Sequence, residues 1–294
     1  MKICCVTQFA FSRSAERLKV NYYFELLLNF MQDSGMKILV CVKQVPEAEA
    51  QVVIDESGDW VQIGGAAEYR MNRFDECAVE EAVLIKEAYP ETVIDVISLG
   101  PERAEAAVRR AMGMGADNGA HILFAEDGYV DAFTTAGAIA AYAKDKRYDL
   151  ILTGAMSEDL MQGQVGPLLA AHLEMACISS TIHAELAADK LTIYVEREVE
   201  GGSREVGNIR LPALLTVQTG INTPRYPALS RLLRANNQEL EVMEADVSCH
   251  ASAPQALVGV ALPEKTRDAV FLEGSTAEKA GQLFNILKAR SLMS

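Results

Sequence analysis

Residues 36–46 read Met-Lys-Ile-Leu-Val-Cys-Val-Lys-Gln-Val-Pro, and no polar residue interrupts the stretch from Ile38 to Val42. An apolar run of this length is typical of a strand that is buried on both faces, as the strands of parallel sheets are. Further apolar runs follow it, in alternation with segments of helical periodicity. From residue 36 onward the sequence therefore predicts strands and helices in turn, which is the pattern of an α/β fold.

The alternation can be followed along the chain. The predicted strands lie at 92–99, 121–124 and 149–153, and the predicted helices lie at 74–88, between Gly100 and Gly115, and at 131–144. The run Glu-Ser-Gly-Asp between 52–55 and 60–63 predicts a hairpin. This order predicts a doubly wound, mostly parallel sheet with right-handed crossovers, whose ligands bind at the carboxyl ends of the strands.

The chain divides into three segments by sequence character. Residues 1–35 precede a second start-like sequence at Met36, and we interpret them as an N-terminal extension of the kind that a misassigned start codon produces. The alternative is a genuine amphipathic helix at 15–31. Residues 36–220 form the predicted nucleotide-binding α/β domain. The pattern weakens after that point, and 221–294 are predicted to form a C-terminal arm ending in a helix.

Composition excludes several classes of partner. The chain has 294 residues, 50% of them hydrophobic, and a formal net charge of -14. So large a negative charge argues against nucleic acid and against anionic membrane surfaces, and it favours docking on other proteins. No apolar run reaches the roughly 18 to 20 residues of a membrane-spanning helix, so we expect no membrane insertion.

The cysteines and histidines indicate no metal site. The six cysteines form no Cys-x-x-Cys pair and have no metal-ligand spacing, which is typical of reduced thiols in a cytoplasmic protein. The four histidines are scattered, and we expect them to serve structure or surface.

A candidate nucleotide loop follows the predicted strand at 149–153. It reads Gly-Ala-Met-Ser-Glu-Asp-Leu-Met-Gln-Gly-Gln-Val-Gly-Pro over 154–167 and leads into a helix. A strand, a loop with small residues and a helix start together favour an anion, because free backbone N–H groups and the helix dipole point at it. The loop after the first strand, 43–49, has no glycine and carries two carboxylates. We therefore expect no catalysis on a nucleoside triphosphate.

Three further runs stand out. Residues 72–82 read Asn-Arg-Phe-Asp-Glu-Cys-Ala-Val-Glu-Glu-Ala, a pattern that fits an acidic helix with Asn72 as its cap. Residues 195–202 read Val-Glu-Arg-Glu-Val-Glu-Gly-Gly, which predicts a charged strand turning at two glycines into a returning strand, with a buried strand after Pro212. Residues 222–232 read Asn-Thr-Pro-Arg-Tyr-Pro-Ala-Leu-Ser-Arg-Leu, in which two prolines restrict the backbone before Leu229.

Together these runs resemble the beta subunit of electron transfer flavoproteins. The resemblance is dense over 36–245 and loose over the C-terminal arm. It implies a Rossmann-like sheet of the adenine-nucleotide-binding type. One departure is Gly207, where the family usually has an aliphatic residue, so we expect the hairpin to be longer or bulged there.

The resemblance also implies which residues bind and dock. The implied cofactor-binding residues are Cys41, Asn72, Arg73, Phe74, Asp75, Leu99, Ala155, Met156, Ser157, Asp159, Gln162, Gly163, Gln164, Val165 and Gly166. The implied partner-docking residues are Pro224, Arg225, Tyr226 and Leu229, whose leucine plugs a pocket on a dehydrogenase. Arg197 and Glu198 match a pair that lies near the flavin domain of the alpha subunit. A plain reading of that pair is a surface ion pair across two strands.

The function implied is that of an electron carrier rather than an enzyme. Such a subunit binds AMP structurally, helps to hold an alpha subunit that carries FAD, and docks acyl-CoA or other dehydrogenases whose electrons pass to a quinone reductase or another acceptor. One alternative is a beta subunit that binds a second FAD and bifurcates electrons from NADH, although Leu160 and Met161 could crowd a diphosphate. Another is a stand-alone adenine-nucleotide sensor of similar fold.

Overall fold

The computed structural model describes residues 35–55, 58, 60–64, 67–124, 128–245, 255, 257–262 and 269–292. The predicted N-terminal extension, and with it the alternative helix at 15–31, lies outside the described residues.

The described residues form thirteen strands and six α-helices, with short 3₁₀ turns at Glu102–Ala104 and Glu200–Gly202. The strands are β1 Lys37–Cys41, β2 Gln44–Pro46, β3 Val52–Ile54, β4 Val61–Ile63, β5 Tyr69–Met71, β6 Val93–Gly100, β7 Asn118–Leu123, β8 Leu150–Gly154, β9 Ala176–Leu186, β10 Thr192–Val199, β11 Ser203–Arg210, β12 Ala213–Val217 and β13 Glu241–Glu244. The helices are α1 Arg73–Ala88, α2 Glu105–Met114, α3 Ala132–Ala143, α4 Val165–His172, α5 Leu229–Asn237 and α6 Thr276–Ala289.

Nine strands form one twisted sheet in the order β11-β10-β9-β12-β8-β1-β6-β7-β13. Pairing is parallel from β9 to β13, and only β9-β10-β11 are antiparallel. The predicted α/β class and the doubly wound, mostly parallel sheet are therefore confirmed. The hairpin predicted at 52–63 is also present, as β3 paired with β4.

Helices cover both faces of the sheet because β1 and its neighbours are apolar on both sides. Ile38 and Val40 point into a core formed with α1 and α2. Leu39 and Cys41 point the other way, into a core formed with α3 and α4. Side chains of a strand alternate between faces, so an uninterrupted apolar run fills both cores at once.

One detail of the β10–β11 hairpin differs from the predictions. Strands β10 and β11 pair residue for residue with Gly207 opposite Val195, so the bulge expected at Gly207 is wrong. The register shift lies instead between β10 and β9, at Glu196 and Arg197. The predicted turn itself is present, since Gly201 and Gly202 have φ of 80° and 73°, values that glycine adopts without strain.

The sheet continues past residue 220, where the arm was predicted to begin. Helix α5 packs on α2, and β13 pairs with β7 as the last strand of the sheet. Helix α6 has no buried residue. The division of the chain at 220 stays a prediction.

Candidate functional site

The carboxyl ends of the neighbouring strands β8, β1 and β6 open into a cavity of 550 Å³. The loop from β8 to α4 and the start of α1 close its sides. A cavity of this size suits a small ligand such as a nucleotide. Most of the predicted cofactor residues line it, namely Cys41, Asn72, Asp75, Leu99, Ala155, Met156, Ser157, Asp159, Gln162, Gly163, Gln164, Val165 and Gly166.

Arg73 and Phe74 are the two predicted cofactor residues that do not line the cavity. Phe74 packs against the end of β8, because a Cβ added at Gly154 would lie 2.7 Å from Phe74 Cβ and 2.3 Å from Asp75 Oδ1. A glycine at 154 therefore lets α1 begin directly against the end of β8. The backbone N–H of Arg73 donates to Glu158 at 3.2 Å, which ties the nucleotide loop to α1.

A second close approach sets the start of α4. A Cβ at Gly166 would lie 2.5 Å from Thr216 Cγ2 and 2.8 Å from Thr153 Oγ1. The first turn of α4 can rest on β8 and β12 only because residue 166 has no side chain. That turn lines the cavity, and its free N–H groups and positive dipole end favour an anion there.

Asp75 joins the two strand ends that frame the cavity. It is 5% exposed, and its carboxylate accepts hydrogen bonds from Lys43 N at 2.7 Å and Gly154 N at 3.0 Å. Burial raises its pKa to about 7, against the lowering effect of these amides, of Asn72 and of the Lys43 charge. Each oxygen of Asp75 accepts a hydrogen bond from a backbone amide. The main role of Asp75 is therefore to hold the strand ends in position rather than to bind a ligand.

Asn72 has a different role from the helix cap that the sequence predicts. It precedes α1, but its side chain makes no capping hydrogen bond. Its Nδ2 donates to Met156 O at 2.9 Å and its Oδ1 accepts from Glu158 N at 3.1 Å. The side chain is 1% exposed, and it gives the nucleotide loop a donor and an acceptor, as a neighbouring strand would.

Lys43, the positive charge that meets Asp159 at the cavity, was not identified from the sequence. Lys43 Nζ lies 2.6 Å from Asp159 Oδ2. Partial burial raises the pKa of Asp159, but the charge of Lys43 and the hydrogen bonds from Lys43, Ser157 and the Leu160 amide together hold the pKa below its ordinary value. Glu47, one of the two carboxylates on the loop at 43–49, is bound to Arg70 at 2.8 Å. The position of Lys43, just past the end of β1, was the signal that could have identified it.

Aromatic residues form another part of the wall that the sequence did not reveal. Trp60, which precedes β4, and Tyr129, which precedes α3, both line the cavity, with ring centroids 5.2 Å apart. Gln162 Nε2 donates to the Tyr129 hydroxyl at 3.2 Å. The two ring planes are tilted by 52°, so each ring separately offers an apolar face of the kind on which a base can stack.

Cys41 is part of the wall between β1 and the nucleotide loop. Burial, with a smaller effect of Asp75, raises the pKa of its thiol far above the ordinary value. The thiol is therefore neutral and packs as an apolar group.

The predicted docking segment lies on the other side of α1. Leu229 is 72% and Tyr226 is 85% exposed. Arg225 Nη2 lies 2.8 Å from Glu80 Oε1 and Nη1 lies 2.6 Å from Glu87 Oε1. Hydrogen bonds to Glu80 and then to Glu87 raise the pKa of Arg225 still further above its ordinary value, so the guanidinium is fully charged.

Arg197 and Glu198, the pair predicted to lie near the flavin domain of an alpha subunit, are on the β10–β11 hairpin. Arg197 Nη2 lies 2.6 Å from Glu205 Oε2 on the opposing strand, so its partner is Glu205 rather than Glu198. Glu198 is exposed and makes no ion pair with any other residue that the structure describes.

Two other features can be stated for the described part of the chain. It contains no group of three or more His, Cys, Asp or Glu side chains arranged to hold a metal ion. Within those same residues, no helix combines the length and the apolar character that crossing a membrane would need.

The fold is that of an α/β protein with a cavity at the carboxyl ends of its strands, and comparison with known proteins defines the family. The model of the family described as "Electron transfer flavoprotein domain" matches residues 59–248. The chain therefore belongs to the electron transfer flavoprotein family, with relatives that are beta subunits.

Three of those relatives, each named electron transfer flavoprotein subunit beta, cover most of both chains. The Bacillus subtilis protein is 33% identical over 261 residues, which is 87% of this chain and 99% of the relative. The Bos taurus protein is 31% identical over 241 residues, 81% of this chain and 93% of the relative. The Bradyrhizobium diazoefficiens protein is 31% identical over 255 residues, 84% of this chain and all of the relative.

Proposed function

We propose that this chain is the AMP-binding beta subunit of a heterodimeric electron transfer flavoprotein, and that it docks a dehydrogenase while the alpha subunit carries FAD. The observation that carries the proposal is the cavity at the carboxyl ends of β8, β1 and β6, with the first turn of α4 in its wall. Its place in the sheet is where ligands bind in open α/β folds.

The residues present fit a nucleotide monophosphate. The backbone from Gly163 to Gly166 would hold the phosphate, and Lys43 adds a positive charge close by. Asp159 would accept a ribose hydroxyl. Gln44 lines the cavity, and its Oε1 is buried without a hydrogen-bond partner in the described part of the chain. That oxygen would accept a donor such as the amino group of an adenine, because a buried unpaired acceptor is costly.

The proposal assigns no catalytic residue to this chain. The FAD of the alpha subunit, when bound, supplies the electron-accepting chemistry, and this subunit orients and docks. Acyl-CoA dehydrogenases, as in fatty acid oxidation, or other dehydrogenases are the proposed donors. A quinone reductase or another acceptor is the proposed recipient of the electrons, and the cytoplasm is the proposed location.

Docking would use the exposed apolar side chains of 224–229. Leu229 begins α5 and has most of its surface exposed, and Tyr226, three residues earlier in the chain, is exposed as well. Exposed large apolar groups next to each other are typical of interaction sites, and aromatic anchors dominate binding energy. Pro224 and Arg225 would hold the segment in shape.

The β10–β11 hairpin would face the flavin domain of the alpha subunit. Glu205 holds Arg197, and this leaves the exposed Glu198 available for a charged group on the partner. An exposed pair such as Arg197–Glu205 is itself worth only about 0.2–1 kcal/mol.

The alternative is a second FAD in this subunit, with bifurcation of electrons from NADH. Leu160 lines the cavity, as a crowding residue would, whereas Met161 is 68% exposed and is not part of the wall. Leu160 thus favours the smaller ligand.

The test is to co-express the chain with its alpha subunit, denature the purified heterodimer and quantify the released nucleotides. One FAD with one AMP is the expected result. Two FAD without AMP would establish the bifurcating alternative, and a chain that purifies alone with an adenine nucleotide would indicate a stand-alone sensor.

A second measurement uses Trp60, the single tryptophan of this chain. Adding AMP to the nucleotide-free heterodimer should change tryptophan emission, because the ring lines the cavity. The matched control is Trp60→Phe, in which the AMP-dependent change should disappear while the released FAD stays the same.

A further inference from the structure

The docking segment lacks the backbone hydrogen bonds that fix regular structure. Within the described part of the chain, no amide of 223–228 donates to another backbone group. Two of these residues are prolines, which have no N–H to donate. The conformation that presents Tyr226 and Leu229 must therefore come from side-chain contacts.

Those contacts come mainly from α1. Glu80 is 4% exposed and accepts from the Arg225 backbone N at 3.0 Å, from Nε at 2.9 Å and from Nη2 at 2.8 Å. Asn222 Nδ2 donates to Cys77 O and to Glu81 Oε2, both at 3.0 Å. On the other side, the Arg110 guanidinium lies 5.5 Å from the centre of the Tyr226 ring.

We infer that Glu80 is a positioning residue for docking, which grips both the backbone and the guanidinium of Arg225 and so holds the segment in its binding shape. The inference rests on the proposed docking function of Leu229. A buried carboxylate needs a partner, and a forked arginine bonded at three nitrogens has little freedom left. Ordering the segment before the partner arrives reduces the entropy that binding would otherwise cost.

Glu87 provides a matched comparison. It binds the same guanidinium at 2.6 Å, but its side chain is 57% exposed and it does not reach the Arg225 backbone. An exposed ion pair contributes little. Glu80→Gln and Glu87→Gln therefore each remove one negative charge that faces the same arginine. Only Glu80→Gln also weakens the group that bonds the Arg225 backbone, because glutamine keeps one acceptor oxygen and replaces the other with a donor.

The experiment uses the co-purified heterodimer and an acyl-CoA dehydrogenase that reduces the wild-type heterodimer when supplied with its acyl-CoA. Glu80→Gln should raise the KM for the heterodimer about tenfold, with the maximal rate within about twofold of wild type. Amides of 225–230 should exchange with deuterium about tenfold faster, while those of β8 stay unchanged. Glu87→Gln should change KM by less than about twofold.

Leu229→Ala separates the failure of this inference from the failure of the proposed function. If Leu229→Ala leaves KM unchanged, the segment does not dock the dehydrogenase and the proposed docking role is wrong as well. If Leu229→Ala raises KM while Glu80→Gln does not, only the positioning role of Glu80 is overturned. An equal loss of maximal rate in Glu80→Gln and Glu87→Gln, without a change in KM, would also overturn it.

If the Glu80→Gln heterodimer does not fold, Arg225→Lys takes its place. Lysine keeps the positive charge beside Glu80 and the backbone N–H, but it loses the fork. KM should rise several-fold with the maximal rate retained, and an unchanged KM would contradict the inference.

Discussion

Helix α1 holds two segments, the nucleotide loop at 154–167 and the docking segment at 222–229, by different means. At its start, Asn72 and Asp75 bind backbone groups of the nucleotide loop and of the strand ends. Further along, Glu80 and Glu87 hold the docking segment through Arg225. The nucleotide loop forms the wall of a cavity, whereas the docking segment turns apolar side chains outward.

The two segments should therefore respond differently to mutation. The nucleotide loop is fixed by buried hydrogen bonds and by close contacts at glycines. A substitution there should therefore lower both the free energy of unfolding and the amount of bound nucleotide. The exposed anchors of the docking segment contribute little to folding, so a change there costs binding alone. The contrast can be tested by substitutions whose expected effects on stability range from large to negligible.

Gly154→Ala should have the largest effect. The new Cβ would overlap Asp75 Oδ1 and Phe74 Cβ at 2.3 and 2.7 Å, which forces α1 away from β8. We expect a loss of about 1–3 kcal/mol in unfolding free energy and a loss of bound nucleotide. The measurements are urea unfolding and nucleotide content. Gly137→Ala, on α3 with open space around its Cβ, is the control and should be neutral or stabilising.

Asn72→Ala should have the next largest effect. It leaves Met156 O and Glu158 N without the partners that they have now. We expect a loss of about 1–3 kcal/mol, measured by urea unfolding, together with less nucleotide after purification. Asn208→Ala, at an exposed position on β11, should leave both quantities unchanged. A stable Asn72→Ala variant with full nucleotide content would contradict the bridging role.

The contribution of Asp75 should depend on pH. Its pKa rises from an ordinary 3.8 to about 7 on folding, so the folded state holds the proton more tightly between these values. The stabilisation is complete below about pH 4 and is lost as the pH rises through 7. The unfolding free energy of wild type should therefore fall relative to Asp75→Asn between pH 4 and 7.

Leu229→Ala should have the smallest effect on stability. Because the side chain is 72% exposed, we expect the unfolding free energy to change by less than about 0.5 kcal/mol. The KM for the dehydrogenase should still rise. Leu191→Ala, 47% exposed in the turn between β9 and β10, is the control for removal of surface leucine and should leave KM unchanged. A large loss of stability in Leu229→Ala would erase the contrast between the two segments.

Much of the fold could be predicted, because its signals are local. Strand β1, helix α1 and the turn at Gly201 and Gly202 each follow from neighbouring residues. The prediction of a bulge at Gly207 was wrong because the absence of a side chain changes packing without changing the strand register. The capping role of Asn72 was wrong because distant backbone groups compete for its amide.

The sequence by itself determined the alternation of strands and helices, the nucleotide loop with its glycines, and the family to which the chain belongs. Only the tertiary structure decided which charged groups meet, such as Lys43 with Asp159 and Glu80 with Arg225. The physical reason is that periodicity and turn chemistry are properties of adjacent residues, whereas these partners lie 116 and 145 positions apart and meet only after the sheet has brought its strands together.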